Sequence, residues 1–300
     1  MTEPFGVFLV SSHNLTPWAG RREILEAQSV IELCKHHHVS HLITSQVAHN
    51  EPAQLSDISS KVIIKEKLLA ANYPNYTILG PVWFVENWFA EPDGTGYTPV
   101  TEKHVGYSGF DVRNERKQAI IYIDDLGKVA ATMFGDSTKG STEWFGQHVD
   151  LAGDYLTCQE ILEVFSRHTG KDLKPHEYYP VAMNRRALAE RPANGVLTDL
   201  LILADHMSNV QWHIDIPALR AKFPFLHTLQ SALEHANFVP AQGVNADRLT
   251  DKLYPGLGLD TAALAQMEDP VRINTGGRPL PSEEHAVRHA PQARRDSNEV

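Results

Sequence analysis

Residues 61–87 read KVIIKEKLLAANYPNYTILGPVWFVEN. The first part of this stretch has the pattern of an amphipathic helix, in which Ile64, Leu68 and Ala71 lie on one face. Residues 76–79 predict a short strand, and the proline at position 81 predicts that the strand ends there. A helix that leads directly into a buried strand is the repeating unit of α/β proteins.

The same alternation is present upstream of this stretch. Residues 6–11 form an apolar run that is typical of a strand buried on both faces of a parallel sheet. A helix is predicted over residues 22–37, a second strand over residues 41–45, and the helix before the quoted strand over residues 59–71. Strands that alternate with helices require crossover connections, so we expect an α/β fold whose parallel sheet has helices on both faces.

Downstream of residue 87 the pattern is looser but continues. The spacing predicts strands over residues 119–123 and 147–151, and helices over residues 124–134 and 158–169. Thr157 and Glu160 form a capping-box pattern at the start of the last helix, and Gly170 is placed to end it. This part of the chain predicts a smaller α+β region next to the sheet.

The carboxyl-terminal part of the chain differs in composition. Residues 183–238 are predicted to be largely helical, whereas residues 276–300 are polar and poor in core-forming side chains. Few apolar groups are available there to offset the loss of chain entropy, so we expect disorder. We therefore predict one domain over residues 1–239 and a largely disordered tail over residues 240–300.

Composition excludes several classes of function. The formal net charge of −10 argues against direct binding of nucleic acid or of anionic membranes, which require a basic surface. Cys34 and Cys158 are the only cysteines, and each lies in an apolar helical pattern, which predicts two buried free thiols.

No apolar run approaches the roughly 20 residues of a membrane span. We expect a cytoplasmic protein, with the nucleus as the alternative.

Several segments resemble, in order, those of the NmrA-like proteins, an atypical branch of the short-chain dehydrogenase/reductase superfamily. Residues 32–45 resemble its helix, turn and strand ending in serine, and residues 61–87 its helix, strand and pocket loop. Residues 123–131 resemble its Asp-x-Gly-x-x-Ala-Ala helix start, and residues 151–171 and 215–238 resemble its later blocks. The resemblance implies a Rossmann-type fold and an NAD(P)-dependent oxidoreductase, with NADP as the expected cofactor.

The chain departs from the family pattern at two points, and at a third point it departs from the classical members of the superfamily but not from many NmrA-like proteins. The sequence contains no Gly-x-x-Gly-x-x-Gly turn of the kind that binds a pyrophosphate, and residue 1 lies just before the segment that resembles the family's fourth strand. An incomplete sheet is therefore expected. Gly80 stands where the family usually has arginine, and Asp57 stands where classical members carry the acidic tyrosine.

The resemblance also assigns candidate site residues. Lys61 corresponds to the lysine that contacts the nicotinamide ribose and takes part in catalysis; the alternative is a solvated lysine on a helix surface. Ser45 ends a strand at the carboxyl edge of the sheet, where it binds a substrate carbonyl or only satisfies the local backbone. Ser11 and Ser12 resemble residues that line the cofactor ribose.

The loop after the third strand is the other part of the predicted cofactor site. Pro81, Phe84 and Asn87 resemble the residues that pack on the nicotinamide and open the substrate pocket. The alternative is that Phe84 and Trp88 belong to the core at helical spacing. Asp125 follows a strand, where a helix N-cap is a commoner role than catalysis.

A metal site is not expected. His36, His37 and His38 are consecutive, and successive helical side chains point about 100° apart, so these three cannot share one ion. Histidines at a helix carboxyl terminus also interact favourably with the helix dipole.

Three functional hypotheses remain open from the sequence. The first is an oxidoreductase that acts on a small organic substrate, with a role in fungal secondary-metabolite biosynthesis because fungal members of the family include such reductases. The second is a non-enzymatic NmrA-type redox-sensing regulator with a transcription-factor partner. The third is a truncated pseudo-enzyme.

Overall fold

Four parallel strands form the main sheet of the computed structural model, in the order β1-β2-β3-β7. The structure describes residues 5–11, 19–48, 60–89, 98–108, 115–179 and 213–242. The main sheet is built from strands with the following bounds: β1 (Gly6–Val10), β2 (His41–Ser45), β3 (Tyr76–Pro81) and β7 (Gln147–Leu151). A Rossmann-type α/β fold, as the sequence predicts, is therefore confirmed.

Two further small sheets accompany the main one. Their strands are β4 (Trp83–Phe84), β5 (His104–Ser108), β6 (Lys117–Ile121), β8 (Asp154–Thr157) and β9 (Lys174–Tyr179). Strand β6 lies between β4, which is parallel to it, and β8, which is antiparallel, while β5 pairs in parallel with β9. A one-turn 3-10 helix, Val85–Trp88, follows β4.

Six helices are present among the described residues. They are α1 (Ala19–His36), α2 (Ser60–Ala70), α3 (Ile123–Thr138), α4 (Cys158–Thr169), α5 (Ile216–Lys222) and α6 (Leu229–His235).

The main sheet has helices on both faces, as expected. On one face, Ile31 and Cys34 of α1 and Leu68 of α2 pack against Leu42 and Ile78. On the other face, Met133 of α3 joins the core that contains Ile43 and Leu79. The alternation of positions 42 and 43 between the two faces follows from the two-residue period of a strand.

The smaller region shares the second of these cores. Trp88 is buried there, its ring meets Phe165 of α4 edge-on at 5.5 Å, and its indole nitrogen donates to the carbonyl of Gly106. Leu233 of α6 and Phe238 belong to the same cluster. The carboxyl-terminal helices are therefore part of the hydrophobic core and not an appendage.

Most of the predicted elements are confirmed, with corrections at several boundaries. The strand predicted over residues 76–79 continues through Pro81, which pairs with Leu151 and whose carbonyl accepts from the amide of Ala48. Pro81 has no N–H to donate, but its carbonyl still accepts a hydrogen bond at the end of the strand. The strand predicted over residues 119–123 is β6, which ends at Ile121, and the following helix runs to Thr138 instead of residue 134.

Local capping signals were predicted correctly. Thr157 and Glu160 form the reciprocal capping box of α4, and Gly170 takes a φ of 67° directly after that helix. Cys34 and Cys158 are both buried free thiols. Residues 183–212 and 243–300, including the segment predicted to be disordered, lie outside the described residues.

Candidate functional site

The carboxyl ends of β1, β2 and β3 lie at one edge of the main sheet. Val10 pairs with Ser45, and Ser45 pairs with Leu79. Ser11 follows β1 directly, so two of the predicted serines are at adjacent strand ends. This is the edge at which open parallel sheets bind ligands.

Ser11 and Lys61 are in direct contact at this edge. The ammonium group of Lys61 lies 2.9 Å from the hydroxyl oxygen of Ser11 and 3.1 Å from its carbonyl oxygen. The third contact of this ammonium group is with Oε1 of Glu23 at 2.6 Å. A lysine ammonium group has three N–H donors, so each donor of Lys61 has an acceptor in the protein.

Glu23 is the residue that the sequence interpretation missed. Its side chain is 0% exposed, its Oε1 also accepts from the hydroxyl of Ser11 at 2.8 Å, and its Oε2 accepts from the hydroxyl of Ser60 at 2.5 Å. A buried carboxylate requires such partners because removal of a charge from water is costly. A signal was present, because Glu23 lies one helical turn before Ala27 on the apolar face of α1.

The alternative reading of Lys61 as a solvated surface lysine is excluded by this geometry. Its side chain is 17% exposed and is paired with a fully buried carboxylate. The ion pair joins α1 to α2 at the end of β1, because Glu23 belongs to α1 and Lys61 to α2.

Of the other polar residues that the sequence analysis singled out, the structure describes Ser45 but not Ser12 or Asp57. Ser45 is buried at the end of β2, between β1 and β3. Ser12 and Asp57 lie outside the described residues.

The predicted nicotinamide loop follows the same edge. Pro81 ends β3, and Phe84 ends β4 with its side chain packed at the border of the core. The carbonyl of Asn87 accepts from both the amide and the hydroxyl of Thr98. Trp88 has the core position that was the alternative to a site role.

The neighbours of Gly80 leave no room for a side chain at this position. A Cβ atom at this position would lie 2.2 Å from Oδ1 of Asp150 and 2.9 Å from the backbone of Ala48. Nε2 of His148 is 3.2 Å from the same Asp150 oxygen, and Lys65 Nζ is 3.4 Å from His148 Nδ1. The space that the family's arginine would need is therefore filled by polar side chains of β7 and α2.

Asp125 lies in the first turn of α3 and does not cap that helix. Tyr122 is the N-cap residue of α3 and makes no side-chain cap bond. Both carboxylate oxygens of Asp125 instead contact His227, and Asp125 is fully buried. No pattern in the sequence indicates this pair, because its members are 102 positions apart.

Neither a metal centre nor a membrane span is found in the part of the chain that the structure describes. No set of three histidine, cysteine, aspartate or glutamate side chains is arranged there to bind an ion. None of the described helices has the length and hydropathy that crossing a bilayer requires.

Comparison with known proteins identifies the family of this chain. The profile of the NmrA-like family matches residues 5–216. The chain belongs to the NmrA-like family. No curated protein sequence matches it significantly.

Solved structures show the same fold at low identity. An NADPH-dependent quinone oxidoreductase from Escherichia coli, complexed with NADPH, is 17% identical over 78% of this chain and 77% of that chain, with a TM-score of 0.56. Triphenylmethane reductase from Citrobacter sp., complexed with NADP(H), is 13% identical over 78% and 76%, with a TM-score of 0.53. The negative transcriptional regulator NmrA, in complex with NAD, is 14% identical over 81% and 77%, with a TM-score of 0.50.

Proposed function

We propose that this NmrA-like protein is an NAD(P)-dependent oxidoreductase that acts on a small organic substrate. The observation that carries the proposal is the contact of Lys61 with Ser11 at the carboxyl edge of the sheet, beside the end of the strand that carries Ser45. Hydroxyl and ammonium groups at this edge are suited to the hydroxyls of a ribose.

The described residues fit one half of a dinucleotide. Ser11 and Lys61 would hold the nicotinamide ribose, and Pro81, Phe84 and Asn87 would border the nicotinamide ring. Ser45 would bind the substrate oxygen. A phosphate-binding turn is not among the residues that the structure describes, so we assign no residue to the pyrophosphate. When bound, the reduced dinucleotide would supply a hydride.

Two of the three solved structures favour NADP as the cofactor, whereas the third, NmrA, is in complex with NAD. The Escherichia coli quinone oxidoreductase is complexed with NADPH and the Citrobacter reductase with NADP(H). We extend the proposal to a cytoplasmic enzyme of fungal secondary-metabolite biosynthesis, on the strength of the family resemblance.

The test is binding of NADPH followed by turnover. Intrinsic tryptophan fluorescence during titration with NADPH measures the dissociation constant, and loss of NADPH absorbance with 1,4-naphthoquinone as the probe measures reduction. Lys61→Met should weaken NADPH binding and lower turnover, whereas Lys67→Met on the same helix is the matched control. A wild-type chain that neither binds NADPH nor oxidises it contradicts the proposal.

A regulator is the second candidate, and one observation favours it. All three donors of Lys61 already have protein acceptors, one of them a buried carboxylate. Such a lysine can stabilise a cleft without taking part in chemistry, which fits a redox-sensing regulator with a transcription-factor partner. NADPH binding without reduction of any quinone or ketone probe favours this candidate over the enzyme.

A further inference from the structure

A second buried polar pair lies at the ends of β4 and β6, apart from the Ser11–Lys61 contact. Oδ2 of Asp125 accepts from the backbone amide of His227 at 2.7 Å, and Oδ1 is 2.7 Å from Nδ1 of the same histidine. An ionised carboxylate can only accept hydrogen bonds, so Nδ1 carries a hydrogen. The contact therefore fixes both the orientation and the tautomer of the His227 ring.

The other ring nitrogen of His227 is available to a ligand. Among the residues that the structure describes, no group forms a hydrogen bond with its Nε2. The imidazole lies next to the rings of Tyr122, at 5.4 Å, and His235, at 5.0 Å, and its side chain is 17% exposed. A histidine that a buried carboxylate orients, with Nε2 open, has the arrangement of a general acid–base pair.

This pair is adjacent to the loop that we assign to the nicotinamide. Phe84 pairs with Ile121, the residue before Tyr122, and neighbouring strands are about 4.8 Å apart. Oε1 of Glu86 accepts from the amide of Ile123 at 2.9 Å, which joins the loop after β4 to the start of α3. His227 is therefore close to the part of the chain that contains Phe84 and Asn87.

The side of the pair that faces Glu86 and Tyr122 is partly buried. Burial raises the pKa of Glu86, and the nearby Asp125 and Asp124 carboxylates raise it further. Burial also raises the pKa of Tyr122, with Glu86 as the next cause. Oε2 of Glu86 is buried, and no described group donates to it. A substrate donor or a proton could therefore be accepted here.

We propose that His227 is the proton donor in reduction of a ketone or quinone, and that Asp125 positions it. This inference rests on the proposed function. When bound, the reduced dinucleotide would supply a hydride with its electron pair to the substrate, and the substrate oxygen would take the hydrogen of the protonated Nε2 of His227. The N–H bond breaks as the O–H bond forms, and the neutral imidazole regains a proton from water. A donor of this kind is needed because Asp57 stands where classical members have the acidic tyrosine.

The experiment separates proton donation from a purely structural role. In His227→Asn the side-chain amide can still donate to Asp125, but no ionisable nitrogen replaces Nε2. We expect kcat for NADPH-dependent reduction of 1,4-naphthoquinone to fall by about 100-fold or more. The dissociation constant of NADPH, the KM of the quinone and the melting temperature should stay near wild-type values. His235→Asn is the matched control and should leave kcat unchanged.

A second measurement does not depend on turnover. Nitrogen-15 NMR of the wild-type histidines should show that His227 carries its hydrogen on Nδ1 in the neutral ring, and a hydrogen on Nε2 instead would overturn the proposal. If the wild type reduces the quinone and His227→Asn keeps the full rate, the proposed function stands and the proton-donor proposal is wrong. If the wild type neither binds NADPH nor reduces the quinone, the proposed function itself fails and the proposal fails with it.

Discussion

Glu23 and Asp125 are both fully buried carboxylates, but their partners differ. Glu23 contacts an ammonium group and two hydroxyls, and each donor of the ammonium group has a protein acceptor, so a ribose hydroxyl would reach Lys61 only in place of one of these acceptors. Asp125 contacts one histidine through its backbone and its ring, and the second ring nitrogen stays open. In the first arrangement every donor of the lysine is used within the protein, whereas in the second one ring nitrogen has no hydrogen-bond partner among the described residues. Burial alone therefore does not mark a reactive group; the number of unused donors and acceptors does.

The largest effect is expected for Glu23. Glu23→Gln leaves the ammonium group of Lys61 in a mostly buried position without a counter-charge. Loss of one partner of a buried ion pair costs about 3–5 kcal/mol. We expect the free energy of unfolding, measured by urea denaturation, to fall by that amount.

The exposed glutamate of the same helix is the control for this change. Glu26 pairs with Arg22 at 2.7 Å, and both side chains are more than half exposed. Glu26→Gln should cost at most about 1 kcal/mol. Equal effects of the two variants would show that the Glu23–Lys61 contact is not a buried ion pair, and the contrast with Asp125 would disappear.

A third buried polar group, His41, extends the comparison of Glu23 and Asp125 to the pH dependence of stability. The hydroxyl of Thr77 donates to the carbonyl of Trp144, so it accepts from Nε2 of His41 at 2.8 Å. Nδ1 is 2.9 Å from the hydroxyl of Ser137. Burial lowers the pKa of His41 from 6.5 to about 4. The folded protein therefore contains a neutral imidazole.

The sign of the effect follows from proton binding. Between about pH 4 and pH 6.5 the unfolded chain binds a proton at His41 that the folded chain does not bind. Stability should therefore rise with pH through this window and be lost as the pH falls, by about 3 kcal/mol in total. The measurement is the difference in unfolding free energy between wild type and His41→Gln at several pH values. A difference that does not change with pH would show that the pKa of His41 is the same in the folded and unfolded chain.

The sequence predicted the main sheet well because its signals are local. Strands β2 and β7 were predicted at their observed bounds, since each is a short run flanked by turn residues. The capping box was also predicted correctly, because Thr157 and Glu160 lie within one helical turn of each other. Short strands were missed where pairing is set by a distant partner, as between β5 and β9.

The candidate site could be predicted only in part. Ser11 and Lys61 were assigned by resemblance, and the structure brings them together. Glu23 could have been noticed, because a carboxylate on the apolar face of a helix requires a partner. His227 could not have been predicted as a site residue. It lies 102 positions after Asp125, and no pattern near either residue indicates that the two meet.

The next effect, smaller than that of Glu23, is expected for Asp125. Asp125→Asn turns one of two acceptors into a donor that faces the backbone amide or the ring N–H of His227. One buried donor would then be left without an acceptor, which costs about 1–3 kcal/mol. Urea denaturation measures the loss, and nitrogen-15 NMR should show that the hydrogen of the His227 ring is no longer confined to Nδ1. Unchanged stability with an unchanged tautomer would mean that His227 is held by other contacts.

The smallest effect tests the exposed pair beside the buried one. Asp124 lies 3.8 Å from His235, and both side chains are about half exposed. The pKa of Asp124 is lowered mainly by its hydrogen bond with Lys128, which is also solvent-accessible. Exposed pairs contribute about 0–1 kcal/mol and are screened by salt, so Asp124→Asn should cost less than 1 kcal/mol at low ionic strength and almost nothing in 1 M NaCl. Denaturation curves at the two salt concentrations measure this, with Asp125→Asn as the comparison whose cost should persist in salt. A large, salt-independent loss in Asp124→Asn would mean that the acidic pair at the start of α3 acts as one buried unit, and that Asp125 cannot be treated as the only residue that positions His227.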